Sequence, residues 1–245
     1  MNIGIVLIGC WFVKLARTHT HRKHVTSFNE STQLLQCNRI LWRDVSVAHA
    51  TSAEKSNAAM TKSEKLLLAH FLSSARFYFE YGCGGSTSLA CRVGVADLQV
   101  VSADSSQEWL AKVSNDSCIT ANHDKYKQVF IDLGAIGILG FPNSTDKISD
   151  WHQYSSAIHP FANRTDLVLI DGRFRVASAL KSLMATSPGT PILFHDFFGR
   201  RGYYPVLKYT DIIGCAEEMV VLQLKDGADL KEMRKELMLH VNNPA

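Results

Sequence analysis

Apolar residues along this chain gather in short runs, separated by longer stretches in which they recur at helical spacing. Phe77 to Tyr81 reads F-Y-F-E-Y, an aromatic run suited to a buried, pleated strand. Further strands are expected at Leu98–Ala103, Lys127–Asp132, Asp166–Asp171, Pro191–Phe194 and Met219–Leu224. The run Asp166-Leu-Val-Leu-Ile-Asp171 is apolar throughout its interior, as a central parallel strand covered on both faces requires. Helical segments fill the intervals. Thr61 to Ser74 places Leu67, Leu68, Phe71 and Leu72 on one face, with Thr61 or Ser63 as the cap. Ser86 is positioned to cap a helix through Leu89, Ala90 and Val93. Others are expected over Ser105–Val113, over Trp151–Ile158, along Val176, Leu180 and Leu183, and over Asp229–His240. Strands alternating with helices predict an α/β fold: a doubly wound, mostly parallel Rossmann-like sheet with helices on both faces. With 245 residues the chain fits one such domain over 61–245, behind a lead-in over 1–60.

The glycine turn after the first strand (Gly82, Gly84, Gly85) marks a ligand crevice, because it lets a backbone come close and opens a helix N-terminus. No Lys follows these glycines, so the phosphate-cradling G-x-x-x-x-G-K-[ST] loop does not apply. A dinucleotide G-x-G-x-x-G fails at Thr87, where the third glycine would stand. A plain tight turn between two core elements is the bland account. Acidic residues recur at the ends of apolar strands: Glu80, Asp104, Asp171 and the pair His195-Asp196. In a parallel sheet such ends share one edge. Asp104 stands at the distance from Gly82 at which an acidic residue takes ribose hydroxyls, although capping the next helix would also explain it.

Glu80-Tyr81-Gly82-Cys83-Gly84-Gly85 resembles the first motif, E/D-x-G-x-G-x, of the class I S-adenosylmethionine-dependent methyltransferases. The resemblance spans Lys62 to Leu224, and the segments I-D-G-R-F-R-V-A and F-H-D-F look like the small-molecule and sugar O-methyltransferase branch. It implies S-adenosyl-L-methionine as cosubstrate, with Glu80, Gly82, Gly84, Gly85, Ser86, Asp104 and Asp132 on the cofactor side. Asp132 would face the adenine amino group, and Ile136 and Ile138 the ring. It further implies methyl transfer to a hydroxyl, with His195 as general base and Asp171 and Asp196 orienting it or the acceptor. Relatives of the catechol type hold Mg²⁺ at the corresponding acidic positions, with a D-N pair where this chain has His195-Asp196. No metal ligand is therefore assigned. Arg173 and Arg175 suit an anionic acceptor, or are solvated helix-start residues, and the 199–205 segment reads as an acceptor-side loop. The alternatives are a nicotinamide-dependent oxidoreductase on the same fold and a nucleoside-binding module without turnover.

Composition adds bounds. A formal net charge of +3, with charges scattered, gives no nucleic-acid footprint and leaves a small molecule or sugar as the expected partner. Six cysteines without a C-x-x-C pair read as buried free thiols, Cys83 among them as a small filler of the turn. The apolar run Ile3–Val13 is shorter than the ~20 residues of a membrane span, and only as an anchor would it touch a membrane. His19, His21 and His24 read as solvated surface. Four N-x-S/T sequons, at Asn29, Asn115, Asn143 and Asn163, matter only in a secretory lumen. The cytoplasm is the expected location, with the secretory lumen behind an N-terminal anchor as the alternative.

Overall fold

The computed structural model describes residues 47–245. The apolar run at 3–13, the three N-terminal histidines and the sequon at Asn29 lie outside the described residues. Among the described residues no helix is long and apolar enough to cross a membrane.

Helices α1 (Val47–Glu54) and α2 (Lys62–Leu72) lead into β1 (Phe77–Tyr81). Then come α3 (Gly85–Val93), β2 (Gln99–Asp104), α4 (Gln107–Ser114), α5 (Ser117–Ala121) and β3 (Tyr126–Phe130). The second half runs α6 (His152–Ser156), β4 (Leu167–Ile170), α7 (Arg175–Ala185), β5 (Ile192–Phe194), β6 (Thr210–Ala216), β7 (Met219–Leu224) and α8 (Leu230–His240). One seven-stranded sheet has the order β3-β2-β1-β4-β5-β7-β6. The first five strands are parallel, and β7 joins antiparallel to both β5 and β6. The expected doubly wound, mostly parallel sheet is what the chain forms.

Alternation along β1 divides the core between the two faces of the sheet. Phe77, Phe79 and Tyr81 pack with α6, α7 and α8, while Tyr78 packs with α2 and α3. Glu80 shares the Tyr78 face. Thr61 caps α2 through a full capping box: its hydroxyl accepts from the Glu64 N–H, and the Glu64 carboxylate accepts from the Thr61 N–H.

Several expectations are corrected. Gly84, not Ser86, is the N-cap of α3, because the Ser86 hydroxyl turns inward to Glu80 at 2.7 Å. An unexpected strand is β6, a half-exposed edge strand with an irregular register at Ile212/Gly214 that blurs its alternation. The 199–205 segment is no open loop: Arg201–Lys208 forms a 3₁₀ stretch that buries Tyr203, Val206 and Leu207. The expectation of free thiols also fails. Cys91 on α3 and Cys118 on α5 form a disulfide, and Cys215 is disulfide-bonded as well. Cys83 is free and buried.

Candidate functional site

The strand order reverses direction between β1 and β4, and a crevice opens there at the carboxyl ends of the strands. Two glycines let the turns after these strands touch. Gly82 has φ +85°, and a Cβ on it would lie 2.8 Å from the Gly172 backbone. Beside them a cavity of about 530 Å³ opens. Its floor is Gly82, Cys83 and Gly172, and one wall carries Asp104, Ser105, Ser106 and Trp109. The opposite wall carries Asp171, Arg173, Arg175, His195 and Asp196. Ile136 and Leu139 of the loop after β3 also line it.

Of the residues singled out in the sequence, the structure brings Gly82, Cys83, Asp104, Ile136, Asp171, Arg173, Arg175, His195 and Asp196 together around this cavity. The others stand elsewhere. Glu80 is fully buried behind the turn, where it accepts hydroxyl bonds from Tyr78 at 2.9 Å, Ser86 at 2.7 Å and Ser102 at 2.6 Å, and a further one from Thr87. Burial outweighs these four bonds and raises its carboxyl above the usual value. Its reach is therefore structural: it fixes the turn that fronts the cavity. Gly85 serves packing, since a Cβ there would fall 2.3 Å from the Ala58 backbone. Gly84 lies against the Trp109 ring. Asp132 is exposed, outside the cavity, and paired with Lys147. Ile138 points to solvent at 86% exposure, and Leu139 takes the place expected for it.

Asp104 accepts from the Cys83 N–H at 3.1 Å and the Ser106 N–H at 2.9 Å, so strand tip and glycine turn are tied together. Burial raises its carboxyl above the ordinary range. Oδ2 also accepts from the Cys83 thiol at 3.7 Å, and Oδ1 keeps a lone pair for a ligand hydroxyl. Trp109 donates to the Cys83 carbonyl at 2.6 Å, which holds its ring at the cavity wall. Carboxylate, aromatic ring and apolar loop side chains together fit a nucleoside: hydroxyls on one side, a flat base on the other. Cys83 is no nucleophile, because burial and the neighbouring Asp104 and Glu80 push its thiol far above the usual value.

On the opposite wall, His195 Nδ1 lies 3.0 Å from Asp171 Oδ1 and 3.8 Å from Asp196 Oδ1, and Nε2 lies 3.5 Å from Glu64 Oε2. Burial alone would lower the imidazole pKa, but hydrogen bonds to Asp171 and Glu64, and the charges of Asp171 and Asp196, raise it to about 10. His195 is an imidazolium at neutral pH, and in that form it has no lone pair to serve as a base. Glu64 shows the matching shift: burial works to raise its carboxyl, and bonds from His195, Thr61 and Glu218 hold it below the usual range. Asp196 has φ +56°, a left-handed conformation that aspartate tolerates.

Arg175, 3% exposed, fastens the turns after β4 and β5. It donates to the carbonyls of Gly172 at 2.9 Å and His195 at 2.8 Å, and pairs with Asp171 and Asp196, each at 3.2 Å. It is neither solvated nor free for an acceptor. Arg173 differs. It is 8% exposed, stacks on Phe141 at 4.1 Å, and has no carboxylate or hydrogen-bonding partner for its guanidinium among the described residues. Desolvation, then the neighbouring Arg175, lowers its pKa.

Ligand atoms of Asp171, His195 and Asp196 lie within 4.8 Å of one another, a spacing that a divalent cation accepts. Arg175 already pairs with both carboxylates at 3.2 Å, so the cluster has a cationic partner of its own within the chain. Glu64 and Trp109 are the site residues that sequence reading missed, and Arg175 was noticed without its role as a clamp. Only Glu64 left a local signal, the capping box, and that signal spoke for helix α2.

No protein-family model and no curated protein matches this chain. Among solved structures it is similar to a methyltransferase-like protein (spo2022) from Silicibacter pomeroyi, at TM-score 0.68 and 25% identity, over 77% of this chain and 98% of that one. It is also similar to the O-methyltransferase from Bacillus cereus in complex with SAH (TM-score 0.46, 14% identity, 80% of this chain and 97% of that one). A third likeness is to SAH-bound Podospora anserina methyltransferase PaMTH1 (TM-score 0.48, 13% identity, 83% of this chain and 99% of that one). The last two are too distant to bear on function.

Proposed function

This chain has the fold of the class I S-adenosylmethionine-dependent methyltransferases, and we propose that it transfers a methyl group to a hydroxyl oxygen of a small molecule or sugar. The observation that carries this reading is the placement of Asp104 and the Asp171–His195–Asp196 cluster on opposite walls of one cavity at the sheet's switch point. A dinucleotide reading has nothing comparable behind it. Thr87 stands at the third glycine position with its hydroxyl committed to Glu80 and the Gly84 N–H, and β7 is antiparallel where a dinucleotide sheet continues parallel.

When bound, S-adenosylmethionine supplies a methyl group on a sulfonium, open to in-line displacement by an oxygen. Asp104 would hold the ribose hydroxyls, and Trp109, Ile136 and Leu139 would cover the base, all four lining the cavity. Asp171, fixed by His195 and Arg175 and still facing the cavity, takes the acceptor's proton as the new C–O bond forms. His195 acts as a fixed positive charge that favours the deprotonating oxygen, rather than as the base. Asp196 faces the same ring nitrogen as Asp171, and Glu64 holds the ring from its Nε2 side. The unpaired guanidinium of Arg173 suits an acceptor that also carries an anionic group.

Calorimetry with S-adenosylhomocysteine and NAD⁺, followed by labelled methyl transfer to a pool of hydroxylated acids and their uncharged amides, tests the reading. S-adenosylhomocysteine should bind, and the acids should be methylated in preference to the amides. Asp104→Ala should weaken that binding by ~1–3 kcal/mol through lost hydroxyl bonds. Asp171→Asn should leave binding intact and slow transfer by about 10²-fold or more. Binding of NAD⁺ in place of S-adenosylhomocysteine would refute the assignment.

A further inference from the structure

We propose that this chain matures in an oxidising, glycosylating compartment and carries N-linked glycans at Asn115, Asn143 and Asn163. Two independent features require the same surroundings. The first is the Cys91–Cys118 disulfide, joined by the disulfide-bonded Cys215. Reducing compartments keep such thiols apart, and oxidising ones hold them joined. The second is the position of the sequons. All three sequon asparagines among the described residues are exposed, and all three stand in connecting segments rather than within a helix or strand. Asn115 follows the last residue of α4, Asn143 lies between the cavity loop and α6, and Asn163 lies just before β4. Acceptor asparagines need this placement to carry a bulky, solvated chain. Neither feature entails the other, and neither depends on the methyl-transfer reading.

The chemistry of each step constrains its timing. In glycan transfer the Asn Nδ2 bonds to the anomeric carbon of a lipid-diphosphate-linked oligosaccharide, the carbon–oxygen bond to the diphosphate breaks, and the amide gives up one proton. In disulfide formation two thiols lose two electrons and two protons to the disulfide of a thiol oxidoreductase, which leaves as a dithiol. At Asn163 the sequon hydroxyl, on Thr165, is buried in the folded chain and donates to the Phe161 carbonyl at 3.0 Å. Transfer there must precede folding. Asn143 is the site nearest to function. Its side chain lies over Gly137, a cavity-lining residue, so a glycan there stands beside the cavity mouth.

The test expresses the full chain, with its own N-terminal residues and no added leader, in cultured eukaryotic cells. Glycan-removing amidase in ¹⁸O water should convert Asn115, Asn143 and Asn163 to heavy-labelled Asp. The substitutions Asn115→Gln, Asn143→Gln and Asn163→Gln should each remove one step from the gel ladder. Peptide mapping without reduction should recover Cys91 linked to Cys118. A chain unlabelled at all three asparagines, or one whose Cys91 and Cys118 alkylate before reduction, overturns the proposal. An unlabelled single asparagine overturns that site.

Discussion

His195 is the residue whose environment says most about the site. Its imidazole is flanked by Glu64, Asp171 and Asp196 and held near 10, above the ordinary ~6.5 of a free histidine. A folded-state pKa raised in this way adds stability that is fully present below ~6.5 and is lost as pH climbs toward the folded value. Glu64 is held low, so its contribution is present above the ordinary carboxylate range and disappears as pH falls. Unfolding free energy from urea titrations should therefore decline between pH ~6.5 and ~10, by at most ~1.4 kcal/mol per pH unit for one proton. His195→Asn should flatten that decline, and Glu64→Gln should lower the imidazole pKa seen by NMR. A wild-type curve level over this window would show that the three carboxylates do not grip the ring as described.

At the scale of elements, the crevice depends on two turns being able to touch. The turn after β1 meets the turn after β4 through Gly82 and Gly172, and helix α3 meets the α1–α2 connection through Gly85 and Ala58. Gly82→Ala would place a Cβ in a left-handed backbone and against a neighbouring main chain at once. A loss of about 1–3 kcal/mol follows from the backbone conformation alone, before the collision is counted. Thermal unfolding should show it, and S-adenosylhomocysteine binding should weaken as the turns part. An unchanged melting temperature would mean that the two turns can separate freely. The same element level explains which parts of the sequence were readable. Glu80 looks like one more acidic strand end, but alternation along β1 puts it on the Tyr78 face, among four hydroxyls and away from the cavity. Edge strand β6 escaped notice because its register shift interrupts the period by which strands are recognised.

For the whole molecule, the Cys91–Cys118 link ties α3, which carries the glycine turn, to the crossover between β2 and β3. It closes a loop of 27 residues in the unfolded chain. In the chain-entropy picture, a loop of that size is worth roughly 3–4 kcal/mol. A Cys91→Ser, Cys118→Ser double variant should lose about that much in denaturant unfolding, and wild-type protein in reductant, which also opens the Cys215 disulfide, should lose at least as much. Equal stability with and without reductant would show that the link does not constrain the unfolded chain.

The alternation of apolar runs and helical periods determined the architecture, because a buried parallel strand and an amphipathic helix each leave a local signature. That signature also put Asp104, Asp171, His195 and Asp196 at one edge of the sheet. Tertiary structure alone decided the rest. Which acids face the cavity follows from side-chain direction at each strand end. That the His195 imidazole is raised follows from Asp171 beside it and from Glu64, brought to it by the capped start of α2. That Arg175 is spent on the carboxylates while Arg173 is left unpaired follows from how the β4 and β5 turns pack. Each of these is a contact between segments remote in sequence, or a choice of face, and neither is written in the local spacing of residue types.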